Sequence, residues 1–361
     1  MPPPRFAVIG AGNGGQSFAA HLTLLGFPVA LWDVEPEKVH ALQGTGRQIR
    51  LTGAVEGNAT VACVTGDIGK ALHGATVVLV VTPTVYHGSV ARLMAPHLRD
   101  GQILVLNPGA TGGALEVRAV LQAADCRASL VVAETDTLLY ACRSPQPGEA
   151  IIHGIKEHVN VAALPAIEGP AVARLLNAAL PQFMAAPNVL VTSLMNGNAI
   201  MHPAPTILNA GRIECKVGFD YYSEGITPAV ARVAERLDAE RLAVADALGV
   251  RVPSIVEWYA ICYGVKGASL HDIVQQVRAY DGIRGPISLN VRYLFEDVPT
   301  GLVPLAALGE AIGVKTPLVR AVIELANGLL GRDFWQEGRS LTRLGLAGLS
   351  AGGIRRRVME K

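Results

Sequence analysis

The order of apolar and polar positions in the first third of the chain predicts alternating strands and helices. Arg5 to Ile9 is a short apolar run that ends at glycine, and Pro28 to Trp32 is a second such run. Between them, Gln16 to Leu25 has apolar residues at helical spacing, which predicts a β-α-β unit. Three further apolar runs are expected to extend the sheet: Thr76 to Val81, Ile103 to Leu106 and Leu130 to Ala133.

Two helical segments separate these later runs, Ser89 to His97 and Ala114 to Ala123. Continuous apolar strands that alternate with helices are typical of a parallel sheet covered on both faces. The first part of the chain is therefore expected to be α/β, with a doubly wound parallel sheet.

The pattern changes near Pro187, where strand-like runs give way to long helical patterns. Ile167 to Leu180 is expected to be a helix that closes the first domain, with Pro181 and Pro187 marking the switch. A length of 361 residues also favours two domains. We predict a sheet domain over residues 1–187 and an all-helical second domain over 188–361. Its predicted helices are Val189 to Met201, Pro228 to Leu248, Ser254 to Gly264, Leu302 to Ile312 and Leu318 to Leu329.

Composition narrows the class of protein. Hydrophobic residues make up 50% and charged residues 17%, which fits a compact enzyme and excludes a disordered chain. A net charge of +1 provides no field for a polyanion, so no nucleic-acid partner is expected. The apolar composition also suggests surface buried between subunits, and a homodimer is the expected assembly.

The five cysteines are widely scattered, which favours neither a zinc site nor a disulfide framework. A reducing cytoplasm is the simplest location, and no metal is expected. The segment from Met1 to Arg5 enters a strand at once, which leaves no room for a signal peptide. The longest uncharged stretch, Asn188 to Gly211, carries several asparagines and prolines, so no membrane span is expected.

A glycine-rich turn follows the first predicted strand and precedes the first predicted helix. Its residues are Gly10, Ala11, Gly12, Asn13, Gly14 and Gly15. Gly10 permits the tight turn, Gly12 allows the backbone to approach a pyrophosphate, and Gly15 lets the helix N-terminus reach it. This context predicts a Rossmann domain that binds a dinucleotide.

Asp33 ends the second predicted strand, where a carboxylate accepts hydrogen bonds from the adenosine ribose. Its charge opposes a 2′-phosphate, and no Arg or Lys follows until Lys38, so NAD is favoured over NADP. Thr82 and Pro83, and the loop from Asn107 to Gly113, follow later strands. Ligands of open parallel sheets bind beyond such strand ends, so these loops are expected to meet the nicotinamide and the substrate.

Polar residues interrupt the first helix of the second predicted domain. Asn198 and His202 lie four residues apart, which places an amide and an imidazole on one helical face, and Pro203 ends or kinks the helix. Histidine suits proton transfer near neutral pH. Arg292 and Asp297 lie in a later segment, and an acid bonded to one imidazole nitrogen would fix its tautomer.

Five segments together resemble the opine dehydrogenase family, of the octopine and nopaline dehydrogenase type. They are Gly10 to Gly15, Glu134 to Thr135, Asn196 to Pro203, Leu208 to Glu214, and Arg292 to Pro299. The resemblance covers nearly the whole chain, including Leu344 to Leu349.

The resemblance implies the reaction of an L-amino acid with a 2-oxo acid such as pyruvate. The two condense to an imine, and NADH reduces the imine to an N-(1-carboxyalkyl) amino acid in a reversible reaction. Few charges line the motifs, which favours a neutral amino acid. The resemblance implies that His202 is the acid/base and Asp297 its partner, and Arg292 is assigned to the same site.

The same resemblance implies that Glu134, Thr135 and Asn198 approach the substrates. One position departs from the family pattern, since some members carry a glutamine that helps to hold the oxo acid where this chain has Ala110. Carboxylate binding is therefore expected to rest on Thr111 or on backbone N–H groups.

Two alternatives remain open. A reductase of the ketopantoate or glycerol-3-phosphate type has the same two-domain plan, but those families resemble one another in using a lysine. Here the helix carries His202, and Lys216 lies beyond the motif. The second alternative is an inactive NAD-binding sensor. The presence of His202, Arg292 and Asp297 in an apolar domain argues against it, because unpaired buried polar groups are costly.

Overall fold

The computed structural model describes residues 3–360, which form two compact units. The first unit comprises residues 3–192 and 358–360, and the second comprises residues 193–357. The division thus falls shortly after the predicted boundary at Pro187, and the last described residues join the first unit. Thr192 belongs to the first unit, where its hydroxyl donates a 2.7 Å hydrogen bond to Oε1 of Glu134.

All described strands lie in the first unit. They are β1 (Phe6–Ile9), β2 (Val29–Trp32), β3 (Gln48–Gly53), β4 (Gly57–Thr60), β5 (Cys63–Thr65), β6 (Val77–Val80), β7 (Ile103–Leu106), β8 (Val131–Thr135), β9 (Tyr140–Arg143), β10 (Glu149–Ile155), β11 (Val159–Leu164) and β12 (Phe183–Ala185).

Eight of these strands form the main sheet, in the order β12-β11-β8-β7-β6-β1-β2-β5. The six strands from β8 to β5 are parallel, and all residues of β1, β2 and β6 are buried. Burial on both faces explains why these strands are apolar throughout. β11 pairs antiparallel to β8, so the sheet is parallel except at this end.

A second sheet of four strands, in the order β4-β3-β10-β9, was not predicted. Its strands alternate buried and exposed residues, as in β3, and carry Gly, Asn and Arg that weaken a sequence-based strand signal. This sheet packs its buried face on the first helix of the unit, so it belongs to the same core as the main sheet.

The α-helices assigned wholly to the first unit surround the main sheet. They are α1 (Asn13–Leu24), α2 (Pro36–Gly44), α3 (Ile68–Leu72), α4 (His87–Met94), α5 (Gly113–Ala123) and α6 (Gly169–Asn177).

The remaining helices begin with α7 (Val189–Leu194), where the units divide. They continue with α8 (Asn198–Met201), α9 (Pro203–Leu208), α10 (Ala210–Glu214), α11 (Pro228–Ala247), α12 (Ile255–Tyr263), α13 (Leu270–Val274), α14 (Arg292–Phe295), α15 (Val303–Ile312), α16 (Pro317–Leu330), α17 (Phe334–Glu337) and α18 (Ala351–Met359). Within the described part of the chain, no helix has the length and apolar character that a membrane crossing requires.

Most predicted helices of the second unit are confirmed, with one difference. The predicted helix from Val189 to Met201 is two helices, α7 and α8, because Asn196 and Gly197 interrupt it. Ser254 begins α12 with a reciprocal capping box to Glu257, and Gly264 ends it in the left-handed conformation.

A buried ion pair in the second unit links three helices. Arg241 and Asp238 on α11 approach to 2.6 Å, and the Arg241 guanidinium also donates to the carbonyl oxygens of Leu194 and Pro253. The other oxygen of Asp238 accepts the N–H of Ile255 at the start of α12. Because these groups are hydrogen-bonded, the pair ties α11 to α7 and α12 without leaving a buried charge unpaired.

Candidate active site

The glycine-rich turn lies between β1 and α1, as predicted. Gly10 has φ of +103°, which a side chain would strain, and a Cβ at Gly15 would lie 1.7 Å from the carbonyl oxygen of Gly10. No heavy atom lies within 4 Å of a Cβ built at Gly12, so open space adjoins the turn there. The turn therefore exposes backbone to a ligand at the N-terminus of α1.

Asn13 and Gln16, in the first turn of α1, hold a neighbouring loop. Oδ1 of Asn13 accepts the Ser144 N–H at 2.9 Å, and Oε1 of Gln16 accepts the Gly148 N–H at 2.9 Å. Gly12, the N-cap, makes no side-chain cap. Because Asn13 supports the loop with its side chain, its own contribution to the predicted cofactor site is expected through its backbone N–H.

Asp33 lies directly beyond β2, with a side chain that is 8% exposed. Its Oδ2 accepts the Ala11 N–H at 2.6 Å, and its Oδ1 accepts the Glu35 N–H at 3.0 Å. Lys38 lies 3.3 Å from Oδ2. Lys38, the first cation after Asp33 in the sequence, thus contacts the carboxylate, because the first turn of α2 brings it back to the end of β2.

Two buried polar atoms without a hydrogen-bond partner lie where β6 and β7 end, among the described residues. They are the hydroxyl of Thr82 and Nδ2 of Asn107. Unsatisfied buried polar atoms are uncommon in proteins and indicate a missing partner. Together with the open space at Gly12 and the carboxylate of Asp33, they fit a dinucleotide laid across the ends of the strands. Pro83 is exposed beside Thr82.

Glu134, at the end of β8, is 0% exposed. Its Oε2 accepts the Ala114 N–H at 2.7 Å, in the first turn of α5, and its Oε1 accepts the Thr192 hydroxyl. A carboxylate at a helix N-terminus is electrostatically favourable. Glu134 thus links the end of β8 to α5 and to α7, and this arrangement lends no support to its predicted contact with substrate.

Thr135 and Thr111 are also buried. The Thr135 hydroxyl donates to the carbonyl oxygen of Thr137 at 2.9 Å, and Thr111 lies in the loop before α5. Ala110, beside Thr111, has φ of +54°, a conformation that is uncommon outside glycine. Substrate contacts for Thr135 and Thr111 stay predictions.

In the second unit, His202 lies at the junction of α8 and α9, where Pro203 begins the new helix. Proline is favourable at the first position of a helix and cannot continue the preceding one. Asn198 begins α8, and its carbonyl oxygen accepts the His202 N–H at 3.0 Å. The Asn198 side chain is exposed, and its contact with substrate stays a prediction.

His202 and Asp297 form a close pair. Nδ1 of His202 lies 2.7 Å from Oδ2 of Asp297, and the two side chains are 12% and 10% exposed. An ionised carboxylate only accepts hydrogen bonds, so Nδ1 carries the hydrogen and Nε2 is left to exchange a proton. Burial raises the pKa of Asp297, although the nearby His202 opposes that effect.

Two tyrosines that sequence reasoning missed contact the imidazole. The ring of Tyr293 stacks on it at a centroid distance of 4.1 Å, and the Tyr222 hydroxyl lies 3.4 Å from Nε2. A third, Tyr221, donates to the His202 carbonyl oxygen at 2.8 Å. Tyr222 in turn stacks on Tyr280 at 3.8 Å. Six of the eight tyrosines occur after residue 220, and this clustering was the available signal.

A π-helical turn, Val298–Leu302, follows Asp297 directly. Within it, a Cβ at Gly301 would lie 2.6 Å from Cβ of Ala199 and 3.2 Å from Nδ2 of Asn196. The absence of a side chain at Gly301 therefore allows this turn to approach α8 closely. π-Helical turns are rare and often lie at functional sites.

Arg292 pairs through its guanidinium with Glu296, at the end of the same helix. Its Nε lies 2.6 Å from Oε2 of Glu296, and its side chain is 64% exposed while that of Glu296 is 6% exposed. The pair lies on α14, immediately before Asp297. Most of the Arg292 side chain thus faces solvent, on the helix that immediately precedes Asp297.

The folded chain therefore combines a dinucleotide-binding unit with a helical unit that carries a nearly buried His–Asp pair, which is the plan of an NAD-dependent oxidoreductase. Comparison with known families agrees. Residues 185–330 match the profile described as "NAD/NADP octopine/nopaline dehydrogenase, alpha-helical domain". Residues 5–114 match "NAD-dependent glycerol-3-phosphate dehydrogenase N-terminus".

The chain is 46% identical to an opine dehydrogenase of Arthrobacter sp. (strain 1C), over 98% of each chain. It is 26% identical to the octopine dehydrogenase of Pecten maximus, over 76% of this chain and 75% of that one. Its fold is similar to a solved octopine dehydrogenase with NADH and L-arginine, with a TM-score of 0.82, 22% identity, and 99% and 98% of the two chains covered.

The chain belongs to the opine dehydrogenase family, and its cofactor is NAD. The predicted family, the Rossmann-like first domain and the helical second domain are thereby confirmed, with the antiparallel edge and the second sheet as additions to the predicted fold.

Proposed function

We propose that this enzyme catalyses the reversible, NADH-dependent reductive condensation of a neutral L-amino acid with a 2-oxo acid such as pyruvate. The product is an N-(1-carboxyalkyl) amino acid. The observation that carries the proposal is the buried His202–Asp297 pair with Nε2 directed away from the carboxylate. It occurs in a chain that is 46% identical to an opine dehydrogenase over nearly its whole length.

The amine of the amino acid adds to the oxo carbon, and loss of water leaves an imine. NADH supplies the hydride that reduces the imine to a secondary amine. His202 handles the proton at Nε2: it polarises the oxo group, donates the proton that the reduction consumes, and accepts a proton in the reverse direction. Asp297 holds the imidazole orientation through Nδ1 and stabilises its charged form.

Arg292 is assigned to binding the carboxylate of the oxo acid. Guanidinium groups bind carboxylates through two parallel hydrogen bonds, and the Arg292 side chain is largely exposed beside Asp297. Asn198, Thr111, Thr135 and Glu134 are kept as candidate substrate residues. For Glu134 to contact substrate, a substrate group must replace one of the donors that its oxygens now have, such as the Ala114 N–H or the Thr192 hydroxyl.

Preference for a neutral amino acid is supported by the groups that surround His202. Besides Asp297, three tyrosines adjoin its imidazole, namely Tyr221, Tyr222 and Tyr293. Burial raises the pKa of Tyr221 and Tyr222 well above the usual value for tyrosine, so both stay neutral near pH 7. Neither of these two tyrosines therefore supplies a phenolate to hold a cationic side chain.

Three further assignments belong to this proposal. NADH is preferred over NADPH because Asp33 opposes a 2′-phosphate. The enzyme is cytoplasmic, in keeping with its five scattered cysteines, all of them free. It forms a homodimer, which light scattering coupled to size-exclusion chromatography would test; a monomer at micromolar concentration would contradict it.

Steady-state NADH oxidation with pyruvate and a panel of amino acids, followed by mass analysis, tests the central assignment. We expect turnover only when both substrates are present, a product with the mass of the secondary amine, and higher kcat/KM for neutral amino acids than for arginine or lysine. Lactate formed from pyruvate alone would contradict the proposal. A reductase of the ketopantoate type would reduce its oxo acid without an amino acid, and a sensor would bind NADH without oxidising it.

A further inference from the structure

A lysine lies beside the carboxylate that is assigned to the adenosine ribose. Nζ of Lys38 is 3.3 Å from Oδ2 of Asp33 and 3.1 Å from Oε1 of Glu35. We propose that Lys38 sets how strongly this enzyme discriminates between NADH and NADPH, by offsetting the charge of Asp33 and pairing with a 2′-phosphate. The inference rests on the proposed assignment of Asp33 to the ribose.

Lys38 is the third residue of α2, which begins at Pro36. A positive charge in the first turn of a helix is unfavourable because of the helix dipole. Here the two carboxylates offset that cost. The side chain of Lys38 is 24% exposed and that of Asp33 is 8% exposed, so their attraction is less screened by salt than that of a surface pair.

The hydrogen bonds at Asp33 determine which group moves when a ribose binds. A carboxylate offers about four acceptor positions. Three donors already use the group, namely the N–H groups of Ala11 and Glu35 and the ammonium of Lys38. Two ribose hydroxyls need two positions, so one donor must leave.

Lys38 is the donor that can leave, because the two N–H groups are fixed by the backbone. Its flexible side chain retains Glu35 as a partner, and the Glu35 side chain is 65% exposed. Binding of NADH therefore breaks the contact between Lys38 and Asp33 and leaves the lysine paired with Glu35 alone.

Binding of NADPH has the opposite effect on Lys38. Its 2′-phosphate carries a charge of about −1.5 to −2 near pH 7, which Asp33 repels. Lys38 lies close enough to remain near both groups and to offset part of this repulsion. The lysine thus slightly weakens the binding of NADH and strengthens the binding of NADPH, so the wild-type preference for NADH is moderate.

Isothermal titration calorimetry of NADH and NADPH, without amino acid or oxo acid, tests the role of Lys38. The variant Lys38→Met removes the charge and keeps an apolar stem. We expect its Kd for NADPH to rise by about tenfold or more, the effect of losing roughly one charged hydrogen bond. The Kd for NADH should fall or change by less than about threefold. Lys38→Glu should increase the ratio of the two constants further.

Lys70→Met is a matched control, because Lys70 is an exposed lysine at the third position of α3. It should leave the ratio unchanged. An unchanged ratio in Lys38→Met, equal weakening of both nucleotides, or no measurable binding of NADPH to the wild type would overturn the inference. Absence of opine synthesis would contradict the proposed function alone, since these titrations require no turnover.

Discussion

Nδ1 of His202 lies 2.7 Å from Oδ2 of Asp297, although the two residues are separated by 95 positions in the chain. The contact is nearly buried and fixes which imidazole nitrogen carries a hydrogen. Its chemical consequence is that Nε2 is available for proton exchange.

His202 and Asp297 are expected to act as a unit. His202→Ala should lower kcat by on the order of 10²–10⁴, because a general acid/base is lost, while the Kd for NADH changes little. Asp297→Asn should also be severe. Because the acid acts through the imidazole, the double variant should be little worse than His202→Ala. Additive losses in steady-state kinetics would show that the two residues act separately.

Asp297 is expected to lower stability as pH rises. Burial raises its pKa, so between the ordinary value near 4 and the raised value the folded protein retains a proton that the unfolded chain has released. Stability therefore falls with increasing pH across that window. Asp297→Asn lacks this titration, so the difference in free energy of unfolding should shift in favour of the variant as pH rises above the ordinary aspartate value near 4.

Urea unfolding at a series of pH values measures this difference. A wild type that becomes more stable relative to Asp297→Asn over that window would contradict the prediction. Loss of activity without loss of stability in this variant would place the cost of Asp297 in catalysis and not in folding.

Removal of the Tyr222 hydroxyl should have a moderate effect. A 3.4 Å contact with Nε2 of His202 is a weak hydrogen bond, so Tyr222→Phe should lower kcat/KM by about twofold to tenfold. Tyr280→Phe is the control, since Tyr280 stacks on Tyr222 but bonds through its hydroxyl to Tyr259. Equal effects of the two variants on kcat/KM would assign Tyr222 to packing alone.

Gly301→Ala should damage both stability and catalysis. The new Cβ would lie 2.6 Å from Cβ of Ala199, and overpacking of this kind costs about 1–3 kcal/mol. The turn after Asp297 would be pushed away from α8, which would displace Asp297. Small misplacements of catalytic groups lower rates by up to about 10²-fold. Urea unfolding and kcat measure the two effects.

Gly328→Ala is the matched control for Gly301→Ala. Gly328 lies on α16 with no heavy atom within 4 Å of a built Cβ. It should gain about 0.5–1 kcal/mol from reduced backbone entropy in the unfolded chain. Equal stability changes of the two variants would contradict the assigned close approach at Gly301.

Thr192→Val should lower stability and leave substrate binding nearly unchanged, since Glu134 is expected to have a structural role. The variant removes the hydroxyl that donates to Oε1 of Glu134, and loss of a hydrogen bond to a buried charged group costs about 1.5–3 kcal/mol. Urea unfolding should show this loss while KM for both substrates changes little. A large rise in KM with unchanged stability would instead support the predicted contact of Glu134 with substrate.

Local patterns in the sequence determined much of the fold and of the candidate cofactor site. The turn from Gly10 to Gly15 and the position of Asp33 follow from short-range geometry, because strand, turn and helix are adjacent in the chain. The long helices α11 and α16 follow from apolar spacing for the same reason.

Tertiary structure alone decided which distant groups meet. It placed Tyr222 and Tyr293 on His202, and it brought the Ala114 N–H and the Thr192 hydroxyl to the two oxygens of Glu134. The sequence contains these residues, but no local periodicity encodes their approach. Their contacts arise only when separate elements pack, because side-chain position then depends on the whole core rather than on neighbours in the chain.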